Sequence, residues 1–417
     1  MRILFLTHYF PPEVNAPANR TFEHCREWVR LGHEVHVITC VPSHPRGVPF
    51  AGYRRGWCQR ETVDGIQVHR VWTYLAANRG VIRRTMNYLS FVPTAVWRAL
   101  RIGRFDLIIA TSPQFFCAVA GYLAALFKRT PWVFELRDLW PDSISAVGAL
   151  KRRTALRALE KLELALYRNA ALVVCVTRAF VDNLTRRGIA PEKLEYVPNG
   201  VDARFWEGGE AARARSTLGC TNGEVIVSYI GTVGLAHGIG SVVDAAKQLE
   251  TSHPNVRFIV VGDGADRDRL TQQVAANGPQ NLGFVGQVPH HAVRDFMAAT
   301  DISLVVLKRS DLFLTVLPSK MFEAMGAGKP VVLGVDGEAR AVLEASGGGL
   351  AVEPENPTAL ATAVGRLARD ASLRQTMGER GQAFVRREFD RKVWAAHLLS
   401  ALEKKVVGSE PIAELAH

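Results

Sequence analysis

Short apolar runs alternate with longer helix-period segments through nearly the whole chain, and this alternation limits the fold more than any other feature. Arg2 to Thr7 is a short apolar run followed by a proline-rich loop, Phe10-Pro11-Pro12-Glu13-Val14-Asn15-Ala16-Pro17. Ala18 to Leu31 then has the period of a helix that Gly32 ends, and Glu34 to Cys40 is the next strand. Strand, loop, helix, strand implies a parallel sheet with helical crossovers. The pattern recurs with strands at Asp106 to Thr111, Trp132 to Leu136, Ala171 to Val176 and Leu194 to Val197. Helices at Phe115 to Lys128, Arg152 to Asn169 and Arg178 to Arg187 separate them. After the turn cluster Pro198-Asn199-Gly200-Val201-Asp202 a second series begins. Its strands are Val225 to Ile230, Val256 to Val261, Leu282 to Phe284, Ile302 to Leu307 and Val331 to Leu333, each followed by a helical segment. At 417 residues the chain is too long for one ordinary core. The expected fold class is therefore α/β, two doubly wound Rossmann-like domains facing one cleft, with the boundary at 198/199. Ligands of such sheets bind at the carboxyl ends of the strands.

Composition narrows the function classes. Apolar residues make up 48% and charged residues 22%, as in ordinary globular proteins. The six cysteines, Cys25, Cys40, Cys58, Cys117, Cys175 and Cys220, form no C-x-x-C pair and no metal-ligand spacing, which reads as free thiols in a reducing compartment. Met1 to Leu6 is too short an apolar stretch for a signal peptide, and Thr7-His8 ends it. The longest apolar run, Phe115 to Phe127, falls short of the ~20 residues a spanning helix needs. A net charge of +11 favours anionic partners, whether phosphorylated ligands, anionic lipid or nucleic acid. Nucleic acid is set aside because no recognition motif accompanies the charge. The charge is uneven: from Gly65 to Phe105 there is no Asp or Glu. That stretch holds Arg70, Arg79, Arg83, Arg84, Arg98, Arg101 and Arg104 among Trp72, Tyr74, Tyr88, Phe91 and Trp97. A basic stretch with aromatics suits a membrane interface; it also suits a solvated helix face whose aromatics point into the core.

Two motifs could carry chemistry. In Ser228-Tyr229-Ile230-Gly231-Thr232-Val233-Gly234-Leu235-Ala236-His237-Gly238 a strand enters a glycine-rich turn and a helix follows. Bare backbone amides and a helix N-terminus make a natural phosphate site, although glycine also serves tight packing in many such turns. The stronger signal is Leu317-Pro318-Ser319-Lys320-Met321-Phe322-Glu323-Ala324-Met325-Gly326, where Pro318-Ser319 starts a helix. Lys320 and Glu323 lie three apart and share one helical face near that start. There a lysine can neutralise a diphosphate and a glutamate can accept two ribose hydroxyls; the bland alternative is a surface ion pair. Asp266-Arg267-Asp268 is read as a helix start, where acids favour the dipole, and not as a metal site.

With these motifs in hand, the sequence resembles the retaining glycosyltransferases of family 4, which have the two-domain GT-B fold. It is most similar to their bacterial surface-polysaccharide branch, typified by WbuB-like amino-sugar transferases. The markers are Tyr9-Phe10-Pro11-Pro12-Glu13, Arg137-Asp138-Leu139-Trp140-Pro141, Pro198-Asn199-Gly200-Val201-Asp202, Tyr229-Ile230-Gly231, Val261-Gly262-Asp263-Gly264, Pro318-Ser319-Lys320 and Glu323-Ala324-Met325. The resemblance implies an N-terminal acceptor-side domain over 1–198 and a nucleotide-sugar-binding domain over 199–388. A C-terminal helix and tail, 389–417, would return to the first domain.

It implies roles residue by residue as well. Glu323 stands where the family glutamate holds the ribose hydroxyls, and Gly231, Thr232 and Gly234 belong to the loop facing the diphosphate. Val285 and Gly286 match the segment against the base. Asn15 and Ala16 belong to the loop, Pro12 to Ala16, that closes over the diphosphate and sugar. Ser319 and Lys320 fall where a phosphate contact is made. Five residues depart from the common pattern. Thr315 replaces a glutamate that touches the donor sugar. Thr232 and His237 replace an arginine and a lysine after the glycine turn, leaving Lys320 as the substitute cation. Arg137 and Asp138 stand where a histidine is common, with Asp138 as a sugar-positioning or acceptor-side group.

The implied activity is transfer of a sugar, N-acetylated or deoxy amino, from a UDP-sugar to a polyprenyl-diphosphate-linked saccharide in surface polysaccharide synthesis. No metal or other cofactor is expected. The protein is expected to be cytoplasmic, peripheral to an anionic membrane at the inner face of the plasma membrane. The alternatives are a UDP-N-acetylglucosamine 2-epimerase-like isomerase on the same fold and a non-catalytic nucleotide-sugar binder.

Overall fold

Strands of a parallel sheet covered by helices on both faces must be apolar along their whole length, and β1 (Arg2–Leu6) meets that demand with four buried residues out of five. The computed structural model describes residues 1–44, 46–76, 81–140, 153–221 and 223–408. It divides into two units, Met1–Pro198 together with the chain from Arg391 on, and Asn199–Asp390.

In unit 1, β1 is followed by β2 (Glu34–Cys40), β3 (Cys58–Val63), β4 (Ile66–Val71), β5 (Leu107–Thr111), β6 (Trp132–Leu136), β7 (Leu172–Cys175) and β8 (Leu194–Tyr196). Among the described residues they form one sheet in the order β3-β4-β2-β1-β5-β6-β7-β8. Every pairing is parallel except β3 with β4. That hairpin is absent from the sequence reading. Its turn is Asp64-Gly65, with φ of 48° and 81°, the two-residue connection whose backbone twist matches paired strands. The basic, aromatic stretch from Gly65 to Phe105 is accordingly divided. Part of it is β4, part is the helix Val81–Arg101, and Arg79 lies outside the described residues.

The helix Ala16–Arg30 organises unit 1. Asn15 caps it, its side chain accepting from the Ala18 N–H at 2.9 Å. The helix starts two residues before the periodicity indicates, because Pro17 is well suited to a first turn. Ala16 is thus helical, not part of the preceding loop. From this helix the Arg20 guanidinium reaches the Glu135 carboxylate at 2.8 Å and the carbonyls of Pro198 and Val197 at 2.6 and 2.9 Å. Arg20 and Glu135 are both buried. Burial alone would raise the Glu135 carboxyl, but Arg20, then Arg137, bring it down to about 2. The helix Arg391–Leu402 packs on the same helix: Trp28 Nε1 donates to Ala395 O at 2.9 Å, and Arg391 pairs with Glu23. Leu398, Leu399 and Leu402 join a core with Ile3, Phe5 and Trp28.

Unit 2 holds β9 (Val225–Ile230), β10 (Val256–Val261), β11 (Leu282–Gly286), β12 (Ile302–Val306), β13 (Val331–Gly334) and β14 (Gly349–Ala351). The order among the described residues is β11-β10-β9-β12-β13-β14, parallel throughout. Counted within the unit this is 3-2-1-4-5-6, the dinucleotide-fold order. In unit 1 the strands from β4 to β7 repeat it, with β3 and β8 added at the two edges. Among the described residues no helix is long and apolar enough to cross a membrane.

Removing one partner of a buried pair leaves the other charge unpaired in a poor solvent. Arg20→Met should therefore lower the stability of unit 1 by roughly 3–5 kcal/mol, seen by calorimetry as an earlier transition, and adding Glu135→Leu should restore a large part. The pair's contribution is complete above the ordinary Glu value of 4.5 and is lost as pH falls toward about 2. An unchanged transition in Arg20→Met would remove this pair from the account of stability.

Candidate active site

Where strand order reverses, the loops at the carboxyl ends diverge and leave a crevice. That point lies between β9 and β12 in unit 2 and between β1 and β5 in unit 1.

In unit 2, β9 and β10 run into Gly231 and Gly262 and β11 ends at Gly286, with φ of 145°, 143° and 85°. The first two turns press backbone against backbone: a Cβ on Gly262 would lie 1.9 Å from Gly231 O. Gly262 N–H donates to Gly286 O at 2.8 Å, so Val285 and Gly286 belong to the same rim. Above Gly231 sits the ammonium of Lys320, 2.9 Å from where a Cβ would be. Lys320 donates to the Tyr229 hydroxyl at 2.5 Å, and that hydroxyl donates to Thr232 O at 2.7 Å. Tyr229 thereby ties the cation to the glycine turn. Desolvation pushes Lys320 down to about 7, with Glu323 opposing. Glu323 is one turn further along the helix Ser319–Gly326, half-buried. That helix has Pro318 as N-cap and no side-chain cap, so its first N–H groups carry the positive end of the helix dipole without a side-chain acceptor.

His237 completes the cluster. Its Nδ1 accepts from the Gly234 N–H at 3.3 Å. Burial, and then the Lys320 charge, lower it to about 3. It is therefore neutral at physiological pH and adds no cation to the turn. Thr315 makes no such contribution: its hydroxyl donates to Leu312 O at 2.8 Å within its own 3-10 turn. Asp266 precedes the helix Arg267–Asn277 without a side-chain capping bond and pairs with Arg269 at 2.7 Å.

In unit 1, Arg137 and Asp138 directly follow β6. Both backbone N–H groups donate to Ser112 Oγ, at 2.7 and 3.4 Å. The Arg137 guanidinium donates to Pro17 O at 3.4 Å, which brings it to the Asn15-Ala16 end of the first helix. Burial lowers Arg137 to about 10 and raises Asp138 to about 6, the latter against the pull of Arg137. Asp138 is thus a carboxyl that can hold or release a proton near neutrality. Trp140 stacks on Phe115, ring centroids 4.5 Å apart, and Pro141 and Asp142 lie outside the described residues. Glu13 in the preceding loop turns inward and accepts the N–H groups of Ser43 and His44, both at 2.9 Å. Burial raises Glu13 to about 6. Asn15 Oδ1 is engaged in its cap, so the loop can offer a ligand the rest of that amide and its backbone.

The structure therefore brings Gly231, Thr232, Gly234, Ser319, Lys320 and Glu323 together in unit 2, with Val285 and Gly286 on the adjoining rim. In unit 1 it brings Arg137 and Asp138 to Asn15 and Ala16. Sequence reasoning missed Tyr229 and Ser112 as side chains of these sites. Tyr229 was visible only as one residue of its strand-end marker. Ser112 carries no motif. Among the described residues no group of three or more His, Cys, Asp or Glu is placed to hold a metal ion.

Two open α/β units in tandem, each with polar side chains gathered at its switch point, define the GT-B class of fold. Residues 15–200 match the family described as Glycosyl transferase 4-like domain, and residues 212–384 match that described as Glycosyl transferases group 1. The chain is 26% identical over 375 residues to WcaI of Escherichia coli strain K12, named as a colanic acid biosynthesis glycosyl transferase, covering 87% of this chain and 91% of that one. It is 24% identical to the alpha-monoglucosyldiacylglycerol synthase of Acholeplasma laidlawii, over 73% of each chain. Anabaena Alr3699/HepE, solved with UDP-glucose, superposes with a TM-score of 0.73 at 21% identity, covering 97% of this chain and all of that one. The chain belongs to the glycosyltransferases with the GT-B fold.

The Lys320 amine should titrate with a midpoint at about 7. After reductive 13C-methylation, one dimethyllysine resonance should move through that midpoint and be missing in Lys320→Arg. A spectrum in which every lysine titrates near the ordinary 10.5 would mean that this ammonium is solvated.

Proposed function

We propose that this chain is a retaining glycosyltransferase that moves an N-acetylated or deoxy amino sugar from a UDP-sugar to a polyprenyl-diphosphate-linked saccharide. Its place is surface polysaccharide synthesis at the inner face of the membrane. The observation that carries the reading is the Lys320–Tyr229–Gly231 arrangement at the β9/β12 switch point, with Glu323 one turn along the same helix. It supplies what a nucleoside diphosphate requires. The glycine turn admits phosphate against the backbone, the helix N-terminus and Lys320 meet its charge, and Glu323 accepts from the ribose hydroxyls.

Charge builds on the diphosphate as the anomeric bond breaks, and donors already oriented there stabilise it most when water is absent. Lys320 fits this task because its ammonium is held in place, against the Tyr229 ring and over Gly231. No metal ion and no other cofactor enter this reading. The proton of the acceptor hydroxyl passes to the departing phosphate, and the new bond forms on the same face. Asp138, its proton poised near neutrality and its backbone held by Ser112, positions the sugar or the acceptor. The names of two relatives support the acceptor class: WcaI is named for colanic acid biosynthesis and the Acholeplasma enzyme for a glucosyldiacylglycerol. The UDP-glucose bound to HepE supports the donor class.

Two measurements check the reading. UDP release from a panel of UDP-sugars, with and without membrane extract, should depend on the extract, and kcat/KM should fall roughly 10–100-fold in Glu323→Ala, chiefly through a raised KM, as loss of a ribose contact made in both ground and transition states predicts. Tight UDP binding without release from any donor would replace transfer by a binding role. A phosphate anion also raises the Lys320 pKa from its unliganded value of about 7, so binding takes up a proton above that pH. UDP affinity should then fall by up to about tenfold per pH unit above 7, and calorimetry in buffers of different ionisation enthalpy should show the uptake. In Lys320→Arg both effects should vanish.

A further inference from the structure

The helix Val81–Arg101 is apolar on two sides. Its inner side places Phe91, Ala95, Val96 and Ala99 in the core beneath the sheet. Its outer side carries Ile82, Met86, Leu89, Pro93, Trp97 and Leu100, all exposed. Ile82 is 78% exposed and Leu89 46%. The spacing of 4, 3, 4, 4 and 3 residues puts these six on one stripe about 27 Å long. A surface helix of a globular protein ordinarily presents polar residues there.

The stripe continues into exposed aromatics at the end of β4. Tyr74 N–H donates to Ser90 Oγ at 2.8 Å and Asn87 donates to Tyr74 O at 2.6 Å, which seats that segment against the helix. Next to it the exposed Trp57 and Trp72 rings pair with centroids 6.2 Å apart. Exposed arginines border the stripe: Arg83 and Arg101 on the helix, Arg104 beyond it, and Arg54 and Arg55 beside Trp57. The Arg101 guanidinium lies over the Trp97 ring at 4.7 Å. Not every basic or aromatic residue of the stretch takes part, since Arg70, Phe91 and Arg98 are buried.

We propose that this stripe, from Trp57 and Tyr74 along the outer side of Val81–Arg101, is the face by which the protein docks on an anionic lipid bilayer. The aliphatic side chains enter the acyl boundary, the tryptophans sit at headgroup level, and the arginines meet lipid phosphates. Charge selects this occupant over a second copy of the chain. From Gly65 to Phe105 there is no Asp or Glu, so two such stripes laid together would oppose arginine to arginine. The proposal rests on the reading of a membrane-borne acceptor for its purpose, but its test involves no sugar transfer.

The test is sedimentation of the full chain with vesicles of phosphatidylcholine containing phosphatidylglycerol, against phosphatidylcholine alone. The chain should partition to the anionic vesicles, less so at high salt, with a blue shift of tryptophan emission. Leu89→Glu with Trp97→Glu should lower the partition coefficient by roughly tenfold or more, with circular-dichroism melting unchanged because both positions are exposed. Failure of the wild type to bind, equal binding by the double variant, or a dimer in solution that the variant disperses without any vesicle binding would each overturn the proposal. Vesicle binding without UDP-sugar turnover would leave the docking face standing and remove the transferase reading; turnover without vesicle binding would do the reverse.

Discussion

Arg20 and Glu135, buried and 2.8 Å apart, are the contact on which unit 1 turns. A charge deep in a protein persists only when hydrogen bonds and a counter-charge replace the water it has lost. Arg20 meets that demand with three kinds of structure at once: the carboxylate on β6, the helix it stands on, and the carbonyls of Val197 and Pro198 where the chain leaves the unit. Three residues further along the helix, Glu23 meets Arg391 where the chain re-enters. One helix therefore holds both ends of the excursion and, at its own N-terminus, the Asn15 loop. Any movement of that helix would be felt at all of these points, which makes its fixation a condition for an ordered site.

The two units apply one topology to two tasks. Each sheet has a switch point of the same kind, between β1 and β5 in unit 1 and between β9 and β12 in unit 2, and near each of them lie side chains with perturbed protonation. In unit 2 the result is a cation held over bare backbone; in unit 1 it is a carboxyl raised by burial beside an arginine. The difference follows from the loops. Unit 2 has glycines with positive φ at three adjacent strand ends, which strip side chains from the rim and let backbone approach a ligand. Unit 1 closes its corresponding rim with Glu13, Ser112 and Arg137, all engaged with neighbouring backbone.

Lys320 shows how departures from a common pattern can be compensated. Neither Thr232 nor His237 supplies charge at the glycine turn, since His237 is held at about 3. The work then falls to one lysine. Its ammonium stays over Gly231 because the Tyr229 hydroxyl bridges it to Thr232 O. The same desolvation that makes the cation costly when the site is empty strengthens its attraction for an anion that arrives there.

Much of this was legible in the sequence. Periodicity gave the tandem α/β order and most helices within a residue or two, because buried parallel strands are written as continuous apolar runs. The Ser319 to Gly326 helix, with Lys320 and Glu323 on one face, was legible for the same reason: i, i+3 neighbours are set by helix geometry alone. The β3–β4 hairpin was not read, although its Asp64-Gly65 turn was present to be seen. What only tertiary structure decided was which polar side chains meet. Tyr229 finds Lys320 across 91 residues and Arg20 finds Glu135 across 115. Periodicity also could not separate the inward arginines, Arg70 and Arg98, from the outward ones bordering the apolar stripe. Local sequence determines backbone conformation and the facing of neighbours within a turn or two; burial, and with it pKa and exposure, depends on residues that chain folding brings from far away.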